Sequence, residues 1–286
     1  MEKICILGGD LRQETVYNLL KEDGFAVSKL CLSKEDDGSV VLGDFDILIL
    51  PIPVTYDNVN INAPLSEMEI SLEYVLNSIS PDCIVLGGRI SPDFEKCLLD
   101  RGMKYFDYYE REELIIKNAI PTAEGAIEIA MTEMPITIFG SRVLIVGYGR
   151  IGKMLASRFK ALGARVTVSA RKHKDFAWIE ENGCDFIHTG DISSCIGSYD
   201  IIINTVPSTV IDKVALDKMR RDSLIIDLAS KPGGVDFASA KELGRNVIWA
   251  LSLPGKTAPI TSGKIIKDTI VNILTEMEVQ NSGISG

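Results

Sequence analysis

The sequence predicts an α/β protein with two doubly wound parallel sheets, one in each half of the chain, joined by a bridging helix. Short runs of apolar and β-branched residues alternate with helical stretches from end to end, and these runs are apolar throughout. Continuous apolar runs are typical of parallel strands that helices cover on both faces. The length of 286 residues is enough for two domains of about 150 residues each.

The first half of the chain contains five predicted strands, with a helix after three of them. The strands cover residues 3–7, 26–32, 45–50, 82–86 and 103–106, and helices are expected from about Leu11, Ser66 and Ser91. We assign residues 1–120 to this domain as the substrate domain. The last predicted helix of the chain, residues 262–280, is expected to return to this domain and complete it.

A break in regular structure is predicted between the two halves. Pro121 disfavours helix in the segment Asn118–Thr122, and Thr122 can cap a helix that starts after it. The bridging helix is therefore expected within residues 121–136, with Pro135 at its end.

The second half, residues 137–258, is predicted to be a cofactor-binding domain. Its strands cover residues 142–146, 164–171, 184–188, 199–207, 223–230 and 246–252. Helices are expected after the first strand, as far as Ala161, and near Phe176–Asn182.

A glycine-rich motif directly follows the first strand of this domain and opens a helix, which is the context of a dinucleotide-binding turn in a Rossmann-like domain. The motif consists of Gly147, Tyr148, Gly149, Arg150, Ile151 and Gly152. The first glycine permits the turn, the second lets the backbone approach a pyrophosphate, and the third lets helix and strand pack closely. The N–H groups at the helix start then hold the phosphates. The alternative is that the glycines serve packing alone.

The same residues also resemble the start of a phosphate-binding loop of nucleotide hydrolases, because Lys153 follows the last glycine. Such loops continue with Ser or Thr, whose hydroxyl ligates Mg²⁺. Met154 stands at this position, and a thioether is a poor ligand for a hard cation. The motif therefore argues against a nucleotide hydrolase.

The end of the second strand of this domain favours NADP over NAD. NAD-binding domains place Asp or Glu there, on the ribose 2′-hydroxyl, whereas this strand ends near Ser169 and is followed by Arg171 and Lys172. Arg171 offers a planar pair of donors for a 2′-phosphate, and Ser169 can add a hydrogen bond. From Arg142 to Lys174 the chain carries nine Lys and Arg residues and no Asp or Glu. The alternative is that Arg171 and Lys172 are only solvent-exposed residues at the end of the strand.

The ends of two later strands are expected to line the nicotinamide and its ribose, because ligands bind at the carboxyl ends of strands in open parallel sheets. These residues are Thr205, Val206 and Pro207 after one strand, and Leu228, Ala229 and Ser230 after the next. Asp227 directly precedes the second group. It is a candidate proton acceptor, and a carboxylate that holds the turn is the equal alternative.

Three cations outside the glycine motif are candidates for binding an anionic substrate. Arg12 and Arg89 each follow a glycine-containing strand end of the first domain, and each is otherwise a plain surface arginine. Lys256 is the one cation in the segment 253–259 that leads to the last helix, and it is also a candidate for catalysis.

Composition argues against several other functions. The net charge of −10 argues against nucleic acid as a partner, because phosphate contacts require a basic face. Two histidines and six scattered cysteines without a CxxC pair predict neither a metal site nor a disulfide framework. No apolar stretch reaches the ~20 residues of a membrane span and no signal peptide is evident, so we expect a cytoplasmic protein without membrane contact.

Six segments of the sequence resemble the A-subunit family of dipicolinate synthases from spore-forming bacteria. They are ILGGDLRQ (6–13), NAIPTAEGAI (118–127), LIVGYGRIGKMLA (144–156), INTVPS (203–208), IIDLASKPGGVDF (225–237) and ALSLPGKTAPITSG (250–263). The order of elements is more distantly similar to the 2-hydroxyacid dehydrogenase and adenosylhomocysteinase superfamily, which also has a bridging helix and a returning C-terminal helix.

The resemblance implies a pyridine-nucleotide oxidation that forms dipicolinate, pyridine-2,6-dicarboxylate, from a hydroxytetrahydro- or dihydrodipicolinate of the lysine pathway. It also implies that the partner is a flavoprotein-like B subunit, in the mother cell during sporulation. A dianionic substrate needs two anion sites, for which we consider Arg12, Arg89 or Lys256 and the helix starts at Thr122 and Thr261. A homo-oligomer is compatible with the sequence.

Proton removal from such a substrate needs a base, and the sequence does not choose among Asp10, Glu124 and Asp227. The histidine that serves in hydroxyacid dehydrogenases has no evident counterpart, since His173 lies in the predicted cofactor-phosphate loop and His188 ends a strand. Two other functions therefore stay open. One is a non-catalytic dinucleotide-binding protein that acts as a sensor or scaffold, and the other is a dehydrogenase for another small carboxylic acid.

Overall fold

The computed structural model describes residues 2–36 and 39–282. The chain divides into two compact units, which we call unit 1 (Met1–Asn118 with Ala258–Gly286) and unit 2 (Ala119–Thr257). Among the residues described, no helix is both long and apolar enough to span a membrane.

The described residues form parallel strands connected by helices. The strands are β1 (Lys3–Leu7), β2 (Ala26–Leu30), β3 (Ile47–Ile49), β4 (Ile84–Gly87), β5 (Tyr105–Asp107), β6 (Arg142–Val146), β7 (Arg165–Ala170), β8 (Asp185–His188), β9 (Ile201–Asn204), β10 (Leu224–Asp227) and β11 (Asn246–Trp249). The helices are α1 (Leu11–Glu22), α2 (Leu72–Ser78), α3 (Pro92–Asp100), α4 (Glu112–Glu133), α5 (Arg150–Ala161), α6 (His173–Glu181), α7 (Ile192–Cys195), α8 (Lys213–Lys218), α9 (Phe237–Glu242), α10 (Leu253–Thr257) and α11 (Pro259–Ser282).

Each unit is built on one parallel sheet. The strand order is β2-β1-β3-β4-β5 in unit 1 and β11-β10-β9-β6-β7-β8 in unit 2, and the strand pairs are parallel. The first order is that of flavodoxin-like folds, and the second is the Rossmann order counted from β6. The predicted fold class is confirmed. The order reverses between β1 and β3 in unit 1 and between β6 and β9 in unit 2, which marks these gaps as ligand-binding positions.

The C-terminal helix α11 belongs to unit 1. Ile266, Ile270 and Ile273 of α11 are buried in the same apolar core as Ile4 of β1 and Val16 of α1. Their spacing of four and three residues places the isoleucines on one face of the helix. The predicted return of this helix to the first domain is therefore confirmed, although the helix begins at Pro259, before its predicted start.

The predicted break at Pro121 is wrong, because α4 continues through this residue. Proline lacks an N–H and so removes one backbone hydrogen bond, but a long helix keeps its other bonds and its buried face. That face is a row of buried alanines spaced at three and four residues, Ala119, Ala123, Ala126 and Ala130. Thr122 therefore lies inside a helix and does not cap one.

Helix α2 also begins later than predicted, at Leu72 instead of near Ser66. The hydroxyl of Ser71 accepts the N–H of Tyr74 at 3.1 Å and caps the helix. In the segment before it, the hydroxyl of Ser66 accepts the N–H of Met68 at 3.1 Å, and the carbonyl of Ile70 accepts the N–H of Ile61 at 2.9 Å. These bonds satisfy backbone groups without a helix.

Replacement of one buried isoleucine of α11 tests how far unit 1 depends on its returning helix. Ile270→Ala removes a fully buried side chain, and we expect a loss of about 2–5 kcal/mol in the free energy of unfolding. The matched control is Ile260→Ala, since Ile260 lies on the same helix with 73% of its surface exposed. Urea unfolding measures both, and equal midpoints for the two variants would contradict the assignment of α11 to the core.

Candidate functional site

The turn between β6 and α5 is shaped by its glycines. Gly147 has a φ of +100°, a conformation that favours glycine, and its N–H donates to the carbonyl of Ser169 at 3.1 Å. A Cβ at Gly147 would lie 2.6 Å from the hydroxyl of Thr205, and a Cβ at Gly152 would meet the carbonyl of Gly147. Two of the three motif glycines are thus required by the chain itself.

Gly149 differs from the other two glycines because nothing in the chain requires it. Its φ of −78° suits any residue, and among the described residues other than its chain neighbours no atom lies within 4 Å of the place where a Cβ would be. Gly149 is the N-cap of α5 and provides no side-chain acceptor for the N–H groups of the first turn. The space beside it is therefore a cradle at a helix N-terminus, where an anion can approach the backbone.

A cavity of about 400 Å³ opens at this cradle, between the glycine turn and the ends of β7 and β9. Its lining residues are Gly147, Tyr148, Gly149, Ser169, Ala170, Arg171, Lys172, Asp175, Thr189, Thr205, Val206, Pro207, Ser208 and Val210. It thus brings together nine of the residues that the sequence proposed for the cofactor. Other proposed residues, namely Arg150, Ile151, Gly152, Leu228, Ala229 and Ser230, do not line it.

The end of β7 supplies the cations of this cavity. Arg171 and Lys172 are exposed at its rim, and the ion pairs among the described residues do not involve either of them. Asp175, in the first turn of α6, adds one carboxylate to the lining. The sequence pattern at the end of β7 did not point to Asp175, because this residue reaches the cavity only through the first turn of α6.

Ser169 itself is fully buried, and its hydroxyl accepts a long hydrogen bond from Thr189 at 3.5 Å. The half-buried Thr189 lines the same cavity. The sequence did not single out Thr189, because it lies after the neighbouring strand β8 and only the pairing of β7 with β8 brings it close.

Asp227 holds the chain after β10 in place. It is fully buried and accepts three hydrogen bonds, from the Asn204 side chain at 2.7 Å and from the N–H groups of Ala229 and Gly234 at 3.0 and 2.8 Å. A buried carboxylate with three donors is a structural anchor. Of the two interpretations that the sequence left open, the geometry favours the turn carboxylate over the proton acceptor.

Asp10 and Arg12 form a two-point ion pair at the carboxyl end of β1. The guanidinium donates from Nε and Nη2 to the carboxylate at 2.9 and 2.8 Å, and Nη2 also donates to the carbonyl of Ile52 at 2.7 Å. Burial alone would lower the pKa of Arg12, but the hydrogen bond and charge of Asp10 outweigh it, and its pKa lies above the usual value. Arg12 is therefore a buried, permanent cation and not a plain surface arginine.

Arg89 stands after β4 with a φ of +54°, which is uncommon for a side-chain-bearing residue. The carboxylate of Asp107 accepts the N–H groups of Arg89 and Ile90 at 3.0 and 2.8 Å and fixes this conformation. The exposed guanidinium lies 5.4 Å from the centre of the Tyr109 ring. Strain of this kind is concentrated at functional sites in proteins.

The remaining candidates lie on the helices α4, α10 and α11. Glu124 is exposed on α4 and lies 3.8 Å from Arg158. Lys256 is exposed on α10, and Thr261 is exposed in the first turn of α11. Thr122 cannot provide a helix start, since α4 begins at Glu112. The described residues contain no group of three or more His, Cys, Asp or Glu side chains that could hold a metal ion.

A larger cavity of unit 2, about 690 Å³, lies on the face formed by α5 and α6. Ala156 and Lys160 of α5 and Trp178 of α6 line it, and Tyr148 is the one residue that it shares with the cradle. It contains no strand end and no motif glycine. We therefore assign the site to the smaller cavity, although the cavity between α5 and α6 has the greater volume.

Two family models match the chain, one within unit 1 and the other within unit 2. Residues 3–109 match the N-terminal domain of the dipicolinate synthase A subunit. Residues 121–234 match the NAD-binding domain of D-isomer specific 2-hydroxyacid dehydrogenases. The second match contains the glycine turn and all the residues that line the cavity described above.

Individual proteins agree with these matches. The dipicolinate synthase A subunit of Bacillus subtilis (strain 168) is 32% identical over 97% of this chain and 97% of that protein. A crystal structure of the dipicolinate synthase A subunit from Bacillus halodurans has a TM-score of 0.88 and 31% identity, and the match covers 96% of this chain and 97% of that one. A transhydrogenase from Sinorhizobium meliloti shares the fold, with a TM-score of 0.71 and 15% identity over 96% and 94% of the two chains.

Unit 2 thus carries a dehydrogenase-type domain for a nicotinamide dinucleotide, and its glycine turn provides the open cradle that such a cofactor needs. The resemblance seen in the six sequence segments extends over nearly the whole chain and is confirmed. The chain belongs to the A-subunit family of dipicolinate synthases.

Proposed function

We propose that this chain is an NADP-dependent oxidoreductase that forms dipicolinate from a hydroxytetrahydro- or dihydrodipicolinate. The observation that carries the proposal is the cradle at Gly149, which opens into the same cavity as Arg171 and Lys172. Backbone N–H groups at the start of α5 suit a pyrophosphate. Arg171 suits a 2′-phosphate, because its planar guanidinium can form two parallel hydrogen bonds to phosphate oxygens.

Asp175 is the feature of the cavity that favours NAD instead. A carboxylate near the adenosine ribose accepts hydrogen bonds from its hydroxyls and repels a 2′-phosphate. Arg171 and Lys172 together outweigh the single negative charge of Asp175, and therefore we keep NADP as the proposed cofactor.

The proposed reaction needs little beyond positioning. Loss of water from the hydroxytetrahydro compound gives dihydrodipicolinate, and loss of a hydride and a proton from the latter gives the aromatic product. NADP⁺, when bound, accepts the hydride. The residues of this chain have to hold the ring, exclude water and accept one proton.

Two arginines of unit 1 are the proposed carboxylate ligands. Arg12 is buried, cationic and held at the gap between β1 and β3, where the strand order reverses. Arg89 stands after β4 in a conformation that Asp107 fixes. Lys256 and Thr261 are retained as further candidates on exposed positions.

The proposed base is Glu124. Asp10 and Asp227 are engaged by an ion pair and by buried hydrogen bonds. Glu124 is exposed, and its one described contact is a 3.8 Å ion pair with Arg158. A water molecule is the alternative acceptor, because the formation of an aromatic ring drives the loss of the proton.

A second protein is part of the proposal. Membership of an A-subunit family supports a partner, and we propose that this partner is the flavoprotein-like B subunit, which acts with the chain in the cytoplasm of the mother cell during sporulation. The alternative function is that of a non-catalytic, dinucleotide-binding protein that senses the cofactor or supports its partner. The engagement of Asp10 and Asp227 in structural bonds favours this alternative.

An activity assay separates the two functions. Enzymatically generated hydroxytetrahydrodipicolinate and NADP⁺ are mixed with the chain, with and without the B subunit. We expect NADPH and pyridine absorbance to appear together. If the chain binds NADP⁺ and neither mixture produces NADPH, the non-catalytic function is correct.

The choice of cofactor is tested at Arg171. We expect Arg171→Ala to weaken NADP binding by about 1.5–3 kcal/mol, the value of a hydrogen bond to a charged group, and to leave NAD binding almost unchanged. Arg165→Ala is the matched control, because Arg165 is exposed at the opposite end of the same strand. Fluorescence titration measures each constant, and equal losses for NADP and NAD would refute the contact with the 2′-phosphate.

The role of Gly149 is tested by adding a single methyl group. Gly149→Ala should keep the unfolding midpoint of the parent protein, since the new Cβ meets no atom. The same methyl group occupies the space of the pyrophosphate, and dinucleotide affinity should fall at least about tenfold, or ~1.4 kcal/mol. Gly152→Ala, which collides with the carbonyl of Gly147, should lower the unfolding midpoint itself. Unchanged affinity in Gly149→Ala would place the cofactor elsewhere.

A further inference from the structure

The ion pair of Asp10 and Arg12 leaves one end of the guanidinium unused. The bonds of Arg12 to Asp10 and to the carbonyl of Ile52 use Nε and Nη2. The hydrogen bonds among the described residues do not use Nη1. Since Nε and Nη2 are fixed from two sides, the planar group has one orientation, and Nη1 is a donor held in a fixed direction.

This pair is internally neutral, which determines how it can bind an anion. Asp10 compensates the positive charge of Arg12, and therefore the attraction of Arg12 for a distant anion is weak. Binding must then rely on directed hydrogen bonds from Nη1 and from a second donor nearby. The N-terminus of α1, which Asp10 caps, adds a favourable dipole.

Tyr56 is the second donor that the fold provides. Arg12 binds the carbonyl of Ile52, and the N–H of Val54 donates to the carbonyl of Gly88 at 3.1 Å. The segment that carries Tyr56 therefore crosses the ends of the strands beside Arg12. After Asp10 and Tyr108, Tyr56 is a further group whose charge raises the pKa of Arg12.

The backbone on both sides of Tyr56 is held by hydrogen bonds, while its side chain is 75% exposed. On one side of it, Thr55 is buried and donates its hydroxyl to Asp57 at 3.0 Å. On the other side, Asp57 holds the turn through the N–H groups of Val59 and Asn60. The turn holds the backbone of Tyr56 in place before a ligand binds, so that binding has to order only the phenol side chain.

We infer that Nη1 of Arg12 and the hydroxyl of Tyr56 together bind one carboxylate of the substrate, and that Asp10 is a positioning residue for Arg12. The inference rests on the proposed function and deepens it by defining one of the two carboxylate subsites. It also changes the proposed role of Asp10 from a candidate base to the group that orients the Arg12 side chain.

Tyr56→Phe tests the carboxylate subsite, because it removes the hydroxyl and keeps the ring. Pyridine-2,6-dicarboxylate is titrated calorimetrically into the full chain with NADP⁺ present. We expect its dissociation constant to rise about tenfold, the lower range for a hydrogen bond to a charged group. Tyr74→Phe is the matched control, since Tyr74 is an exposed tyrosine (57%) on α2 of the same unit, and it should bind like the parent protein.

The outcomes of this titration are distinct. Unchanged affinity in Tyr56→Phe overturns the subsite, and so does a parent protein that binds NADP⁺ without binding the dicarboxylate. A parent protein that binds neither compound overturns the proposed function as well. NADP⁺ affinity, measured separately by fluorescence, should be the same in all three proteins.

Asp10→Asn tests the positioning role, in the complete enzyme with its B subunit. We expect KM for the substrate to rise about tenfold while kcat and the acidic limb of its pH profile stay close to those of the parent enzyme. Asp10→Glu should show a smaller rise in KM than Asp10→Asn, because it keeps a negative charge beside the guanidinium. Loss of kcat and of the acidic limb at unchanged KM would make Asp10 the base and overturn its positioning role.

Discussion

Helix α5 starts so close to the turn after β6 that a side chain has no room at Gly152, where a Cβ would meet the carbonyl of Gly147. On the other side of the turn stands the hydroxyl of Thr205, which donates to the carbonyl of Val146 at 2.9 Å. The turn is confined from both sides, and the open direction is the one at Gly149. The helix start, the cradle and the cofactor proposal all follow from this confinement.

Polar groups at the strand ends determine which side chains remain for chemistry. Asp227 holds the segment after β10, and Asp107 holds the strained backbone at Arg89. Asp227 is fully buried, and leaving its carboxylate unpaired would cost about 1–3 kcal/mol or more. Asp107 is half-buried, and its carboxylate likewise serves to hold the backbone. Asp10 belongs to the same group, since it caps α1 and fixes Arg12. In the function that we propose, recognition of the substrate therefore depends on the groups that these acids position.

Unit 1 is discontinuous, because α11 supplies part of its core from the far end of the chain. The helix is attached by apolar contacts and by the two-point ion pair of Arg111 with Glu276, at 2.7 and 2.6 Å. This pair is partly exposed, so it contributes little compared with the buried isoleucines. A core assembled from both ends of the chain can form only after the intervening unit has been synthesised.

The sequence by itself determined the strands, the two parallel sheets, the glycine turn and the family, because each is recognised from local patterns within short segments of the chain. The local pattern at Pro121 wrongly predicted a break, because the buried row of alanines from Ala119 to Ala130 keeps α4 continuous. Nor did the sequence single out Thr189 and Asp175, which line the cavity, or show that buried hydrogen bonds engage Asp227. The partners of a polar group at a strand end come from neighbouring strands and helices, and only the tertiary structure brings them together.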